Sequence, residues 1–205
     1  MTIDWKTVVR TDRPPDARAV AASHSRVGWV AEEITEPAVV ALIRELQRLR
    51  STDFVQVARF RPTVHDDTLS WFVSRNRPYE WDFFRHLLGH RATRTVLPDL
   101  GIPDPLREVP GLTAVRLHAL DGELGAEINA GSVYTRYDGT FWEAKRLGFE
   151  FLRGLVGDRP ADFAAYFTSE AWTSWFSAPI PTDRTWVIID RGAARVLVIC
   201  LTDSD

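Results

Sequence analysis

The sequence predicts an α+β fold: a mainly antiparallel sheet covered by helices on one side, with the C-terminal β-hairpin in the core. Two β-branched apolar runs, residues 185–190 and 195–201, flank a short Gly-containing link, which is the pattern of a hairpin buried on both faces. Amphipathic helical patterns lie in both halves of the chain, and the other strand-like runs are joined by short links. A chain of 205 residues that is 45% hydrophobic can bury a core around such a sheet.

The clearest element in the first quarter of the chain is an amphipathic helix over residues 35–50. Thr35 is in position to act as its N-cap, and Pro37 suits the first turn. Apolar residues recur at helical spacing up to Leu49, so this helix is expected to pack against a sheet or another helix. Residues 3–10 fit a short helix or a short strand equally well.

A strand pair and a short helix are predicted next. Residues 54–60 and 68–74 read as strands, and a polar link rich in Asp joins them. Pro78 then opens a short helix over residues 79–88. Its acidic residues lie in the first turn and its basic residues near the end, and both positions interact favourably with the helix dipole. Gly89 is expected to end the helix.

Residues 97–111 hold four prolines and two glycines, a composition typical of a rigid loop or a connector. We therefore predict a single α+β domain over residues 1–205, with two lobes joined at 97–111 as the alternative. Beyond this segment, three runs have the composition of a β-meander with tight Gly-containing turns. They are residues 112–120, 123–129 and 132–137.

The strongest helix prediction begins at Thr140. Thr140 and Glu143 have the spacing of a capping box, in which each side chain bonds to the other residue's backbone N–H. The helical pattern places Phe141 on the buried face. A second helix is predicted over residues 158–167, and residues 169–176 extend it after a bend.

Composition excludes several classes of function. A formal charge of −3 gives no strong field toward nucleic acid or a membrane, and no apolar run is long enough to span a bilayer. The single cysteine, Cys200, allows neither an internal disulfide nor a Cys-based zinc site. The large excess of Arg over Lys is typical of a bacterial genome rich in G and C. Without a signal-peptide pattern, a cytoplasmic location is expected.

One spacing suggests a metal site. Asp82, His86 and His90 recur every four residues, so on a continuous helix all three would project from one face toward a divalent metal. Gly89 interrupts that helix before His90, and there is no HExxH motif. The interpretation that we favour is therefore two solvent-facing imidazoles near a helix C-terminus, and no cofactor is predicted.

Two arginines directly precede the short helix. Arg75 and Arg77 present guanidinium groups beside helix N–H groups, an arrangement that can hold a phosphate or a carboxylate. The alternative that we favour is a link between two elements, in which the arginines pair with Glu80 or Asp82.

The aromatic content is high, with eight Trp, eleven Phe and four Tyr, and it is densest over residues 141–176. Most of these residues fit core positions. Trp172, Trp175 and Phe176, however, exceed what one short helix face can bury. They are therefore candidates for a ligand-binding or partner-binding surface, where aromatic side chains serve as anchors.

Two classes of function remain. The first is a non-enzymatic protein-binding module (an adaptor, inhibitor or immunity-type protein) that uses its aromatic C-terminal helices or the acidic face of residues 112–205. The second is a small-molecule enzyme or ligand-binding domain with a pocket between sheet and helices, lined by Trp71, Trp142 or Trp172. Because the chain lacks the local motifs of hydrolases and nucleotide-binding enzymes, we favour another protein as the partner, with no nucleic acid and no membrane.

Overall fold

The computed structural model describes residues 13–176 and 182–203, within which six strands form one sheet and seven helices pack against it. The strands are β1 (Trp29–Glu32), β2 (Val55–Pro62), β3 (Thr113–Val115), β4 (Phe163–Thr168), β5 (Arg184–Asp190) and β6 (Arg195–Leu201). The helices are α1 (Ala17–Arg26), α2 (Pro37–Arg50), α3 (Asp67–Ser74), α4 (Phe83–Leu88), α5 (Arg91–Val96), α6 (Leu120–Ala130) and α7 (Phe141–Val156). The element predicted over residues 3–10 lies outside the described residues.

The α+β fold and the central hairpin are confirmed. The strand order is β1-β2-β6-β5-β4-β3, and every neighbouring pair is antiparallel. The hairpin of β5 and β6 therefore occupies the two central positions, and β6 pairs along its length with β2 from the first half of the chain. Cys200 lies fully buried in β6, where burial raises the pKa of its thiol to about 12, so this thiol is a packing group.

Helices cover both faces of the sheet, and the expectation of cover on one side is wrong. Neighbouring residues of the central strands, such as Val198 and Ile199, belong to two different buried clusters. One cluster includes side chains of α3 and α4, whereas α2, α6 and α7 supply the other. Because β5 and β6 are apolar at almost every position, both of their faces have to be removed from water.

The two best-patterned helices form as predicted, with one change at each N-terminus. In α2 the N-cap is Glu36 rather than Thr35, and its side chain makes no capping bond. In α7 the capping box of Thr140 and Glu143 is present in both directions. Phe141, predicted to be buried, is 55% exposed.

Two predicted strand regions are helical. Residues 68–74 lie in α3, because the Asp66 side chain accepts the Leu69 N–H and caps the helix at 2.8 Å. Residues 120–130 form α6, whose buried Leu124 and Ile128 lie at helical spacing, so the predicted meander is reduced to β3.

The predicted helix over residues 158–167 is largely a strand. β4 pairs with β5 along its whole length and continues the sheet. Its side chains alternate between the two clusters, with Ala165 in one and Tyr166 in the other, which is the period of a strand. Residues 169–176 contain turns and bends rather than a helix.

The Pro-rich segment 97–111 packs against the molecule. Leu100, Ile102 and Leu106 are buried in the cluster that also contains α3 and α4. No helix among the described residues is both long and apolar enough to cross a membrane.

Candidate functional site

The predicted aromatic trio is mainly packed. Trp172 donates its indole N–H to the Thr185 hydroxyl at 3.0 Å, and Trp175 donates to the Asp53 carbonyl at 2.9 Å. Phe176 is buried between them, with ring centroids 5.8 and 5.0 Å away. Both indole N–H groups are thus bonded within the protein, while both indole rings remain partly exposed.

The predicted arginine pair stacks on Trp71. The Arg75 and Arg77 guanidinium carbons lie 4.5 and 5.1 Å from the centre of this indole ring. Arg77 also forms a two-bond ion pair with Glu80, as the favoured interpretation predicted. The residues that follow form a four-residue 3-10 turn rather than the start of the predicted α-helix.

The three predicted metal ligands are each engaged in other bonds. Asp82, with a positive φ of 54°, breaks the helix and pairs with Arg85 at 3.0 Å. His86 accepts the indole N–H of Trp29 at Nδ1 (2.9 Å), and His90 caps α5. Within residues 13–176 and 182–203, no group of three or more His, Cys, Asp or Glu side chains is arranged to hold a metal ion.

His86 instead joins α1 to α4 and β1. Its Nε2 lies 3.2 Å from the His24 carbonyl, so the neutral tautomer with hydrogen on Nε2 satisfies both ring nitrogens. The His24 ring stacks on it with centroids 5.1 Å apart. Burial lowers the pKa of His86, the bond to the His24 carbonyl acts in the opposite direction, and repulsion from His24 and His90 lowers it further.

Three of the five exposed aromatic residues in the described part of the chain lie on α7. Trp142 is 73% exposed and Phe149 is 51% exposed, and they lie two turns apart on one stripe of the helix. The ring centroids of Phe141 and Trp142 lie 5.1 Å apart. We call this surface the α7 face; it consists of Phe141, Trp142, Lys145, Arg146, Phe149 and Arg153. Exposed apolar patches of this kind often mark functional surfaces.

The charges on the α7 face are mainly basic. Glu143 uses its carboxylate to cap the helix, and Glu150 pairs with Arg153 at 2.6 Å. Lys145 and Arg146 are exposed and make no ion pair within 4 Å among the described residues. The face therefore combines aromatic rings with two cations that form no ion pair within 4 Å among the described residues.

An open groove of about 500 Å³ runs beside the α7 face, between α7 and α2. Arg146 lies on both the groove and the face. The other polar side chains of the groove are Glu45, Arg48, Tyr137, Asp138 and Glu143. A side chain from a bound protein can enter this groove while its neighbours cover the aromatic rings.

Sequence reasoning missed the α7 face because it placed Phe141 in the core and treated Trp142 only as a pocket lining. A helical-wheel projection of the sequence indicates this surface. Trp142 and Phe149 are seven residues apart and therefore lie on one stripe, and Arg146 and Arg153 lie on the same stripe.

Comparison with known proteins gives no assignment of this fold or face. No family model matches the chain, and no curated protein or solved structure shows significant similarity to it.

Proposed function

We propose that this protein is a non-enzymatic protein-binding module that uses the α7 face as its contact surface. The observation that carries the proposal is the exposure of Trp142 and Phe149 on one stripe of an otherwise well-packed helix. Trp and Arg are enriched among the residues that dominate binding energy at protein interfaces. The face is convex, and a convex aromatic surface suits a protein partner better than a small molecule.

The partner that fits is a protein surface with an apolar centre and an acidic rim. Its carboxylates would pair with Lys145 and Arg146, and its apolar side chains would cover Trp142 and Phe149. A second copy of this chain fits poorly, because a two-fold contact would oppose these cations with their own counterparts.

Affinity capture from an extract of the native host tests the proposal. The immobilised full chain is compared with a variant that carries both Trp142→Ser and Phe149→Ser. Each truncation is expected to cost about 2 kcal/mol of binding energy, so the double variant should lose about thirtyfold in affinity for the purified partner from one truncation alone and up to about a thousandfold if the two losses add. The partner's acidic residues should make its binding weaker at high salt.

The matched control is Tyr79→Ser, which removes a half-exposed aromatic ring that packs on Phe84 and Tyr166, on the opposite face of the sheet. This variant should retain the partner as the wild type does. Equal retention by the double variant would contradict the proposal, as would a chain that retains only nucleic acid, lipid or a metabolite. Self-association lost on Trp142→Ser would replace the proposed partner with a second copy.

A further inference from the structure

Four exposed side chains of α7 lie on one line along the helix. They are Trp142, Arg146, Phe149 and Arg153. Their spacing averages about 3.5 residues, the interval at which contacts recur between two helices packed side by side. The line runs for about 17 Å, because each helical residue adds about 1.5 Å. Its length therefore matches about three turns of a second helix.

The exposed line is narrow. On one side of it, Glu143 faces the groove toward α2 and uses its carboxylate to cap α7. On the other side, Lys145 extends over α6, where its Nζ lies 3.8 Å from the position of a Cβ on Gly122. A partner that covers the rings of Trp142 and Phe149 together therefore has to follow α7 lengthwise, which favours an elongated element.

An elongated element is either a helix or an extended strand. An extended strand binds through its backbone to a sheet edge, and α7 has no such edge because its backbone groups bond within the helix. Pressed against Trp142 and Phe149, the backbone groups of a strand would lose water without gaining hydrogen bonds. A helix satisfies its own backbone and avoids this loss, so it is the better match.

The charges beside the line select the sign of the helix. Lys145 and Arg146 form no ion pair within 4 Å among the described residues, and Arg153 pairs with Glu150 of its own helix. Carboxylates along the edges of a bound helix would be attracted to Lys145 and Arg146, whereas Lys or Arg at the same positions would be repelled.

We propose that the partner's contacting element is an acidic amphipathic α-helix that packs lengthwise along α7, an inference that rests on the proposed function. Its apolar residues recur every three or four positions and cover Trp142 and Phe149. Its Asp or Glu residues flank that stripe and pair with Lys145 and Arg146.

Three model peptides of about 18 residues test the proposal by fluorescence anisotropy with the purified full chain. The first has leucines at alternating intervals of four and three residues, glutamates beside them and alanines elsewhere. The second has the same composition with the leucines at every second position, and the third has lysine in place of each glutamate. The first should bind at least about tenfold more tightly than either of the others. Equal binding of the first peptide and either of the others, or no binding of any, would overturn the proposal.

A charge reversal places the peptide on α7. Arg146→Glu should weaken binding of the first peptide at least about tenfold and strengthen binding of the lysine peptide. Arg18→Glu is the matched control, because Arg18 is an exposed arginine on α1, which packs on the other face of the sheet. Circular dichroism spectra verify that both variants are folded. Equal weakening in the two variants would assign the effect to net charge and refute the contact.

The captured partner separates this proposal from the proposed function. A photoreactive benzoylphenylalanine in place of Phe149 cross-links the partner, and mass spectrometry locates the linked residues. They should lie three or four positions apart within one acidic segment. Links at alternate positions, or spread over several segments, would overturn the helix and leave the α7 face as the contact surface. Capture that does not depend on Trp142 and Phe149 would remove both proposals.

Discussion

At the scale of single residues, His86 shows how one half-buried side chain links stability to pH. The neutral ring accepts the Trp29 indole N–H, and protonation of Nδ1 would place two hydrogen donors against each other. Because the folded-state pKa lies below the ordinary value, the folded protein binds fewer protons than the unfolded chain in this range. This contribution to stability is therefore fully present above about pH 6.5 and is lost as the pH falls through that value toward the folded-state pKa.

We expect the urea midpoint of the wild type to fall between about pH 7 and pH 5 for this reason. His86→Gln keeps an acceptor for Trp29 but removes the titrating ring, so its midpoint should fall less over the same interval. His65→Gln, at an exposed histidine, should follow the wild type. The same pH slope in His86→Gln and wild type would assign the effect to other groups.

At the scale of elements, the contact between α6 and α7 depends on glycine. A Cβ on Gly148 would lie 2.0 Å from the Asp121 carbonyl oxygen, a backbone atom that cannot move aside without shifting α6. Gly148→Ala should therefore lower the free energy of unfolding by more than about 3 kcal/mol, as measured by urea denaturation. Gly122→Ala is the comparison, because a Cβ there meets only the Lys145 side chain at 3.8 Å. It should be neutral or stabilise the protein by up to about 1 kcal/mol. Similar losses in both variants would show that close helix approach is not the cause.

The elements that could be predicted from the sequence are those whose signals are local. The capping box of α7, the stripe of α2 and the terminal hairpin each carry their signal within one short segment. Among the misassigned segments, α3 begins at a local cap, Asp66, in a stretch that the sequence analysis placed in a link, whereas tertiary contacts decide the structure of β4 and α6. β4 becomes a strand only because β5 offers it a partner edge, and α6 is helical because its apolar residues pack against α7.

The candidate sites were less predictable than the fold. Trp142 is exposed because the opposite side of α7 packs against the protein core. A helical wheel groups the residues of α7 into stripes, but the stripe that is buried is decided by tertiary packing. Conversely, the sequence spacing suggested a metal site at Asp82, His86 and His90. In the structure, Asp82 forms an ion pair and the two histidines form hydrogen bonds within the fold.

At the scale of the whole molecule, the central hairpin should be indispensable. β6 separates β2 from β5, and beyond it Thr202 and Asp203 bond to Asp183 and to the Val133 N–H. A chain ending at residue 181 lacks both central strands and should be unfolded, with a circular dichroism spectrum lacking native sheet and without cooperative melting. A soluble fragment with a sharp melting transition would show that the remaining strands can form a core alone.

The strand order also affects how the chain assembles as it is made. β2 obtains one neighbour from β1 early, but its other neighbour is β6, which is synthesised last of the six described strands. Until residues 195–201 emerge, one edge of β2 exposes unpaired backbone groups that can capture a strand from another nascent chain. The pairing also joins distant segments, which favours slow folding. Expression at low temperature or with chaperones should therefore improve the yield of native protein more than changes to its surface would.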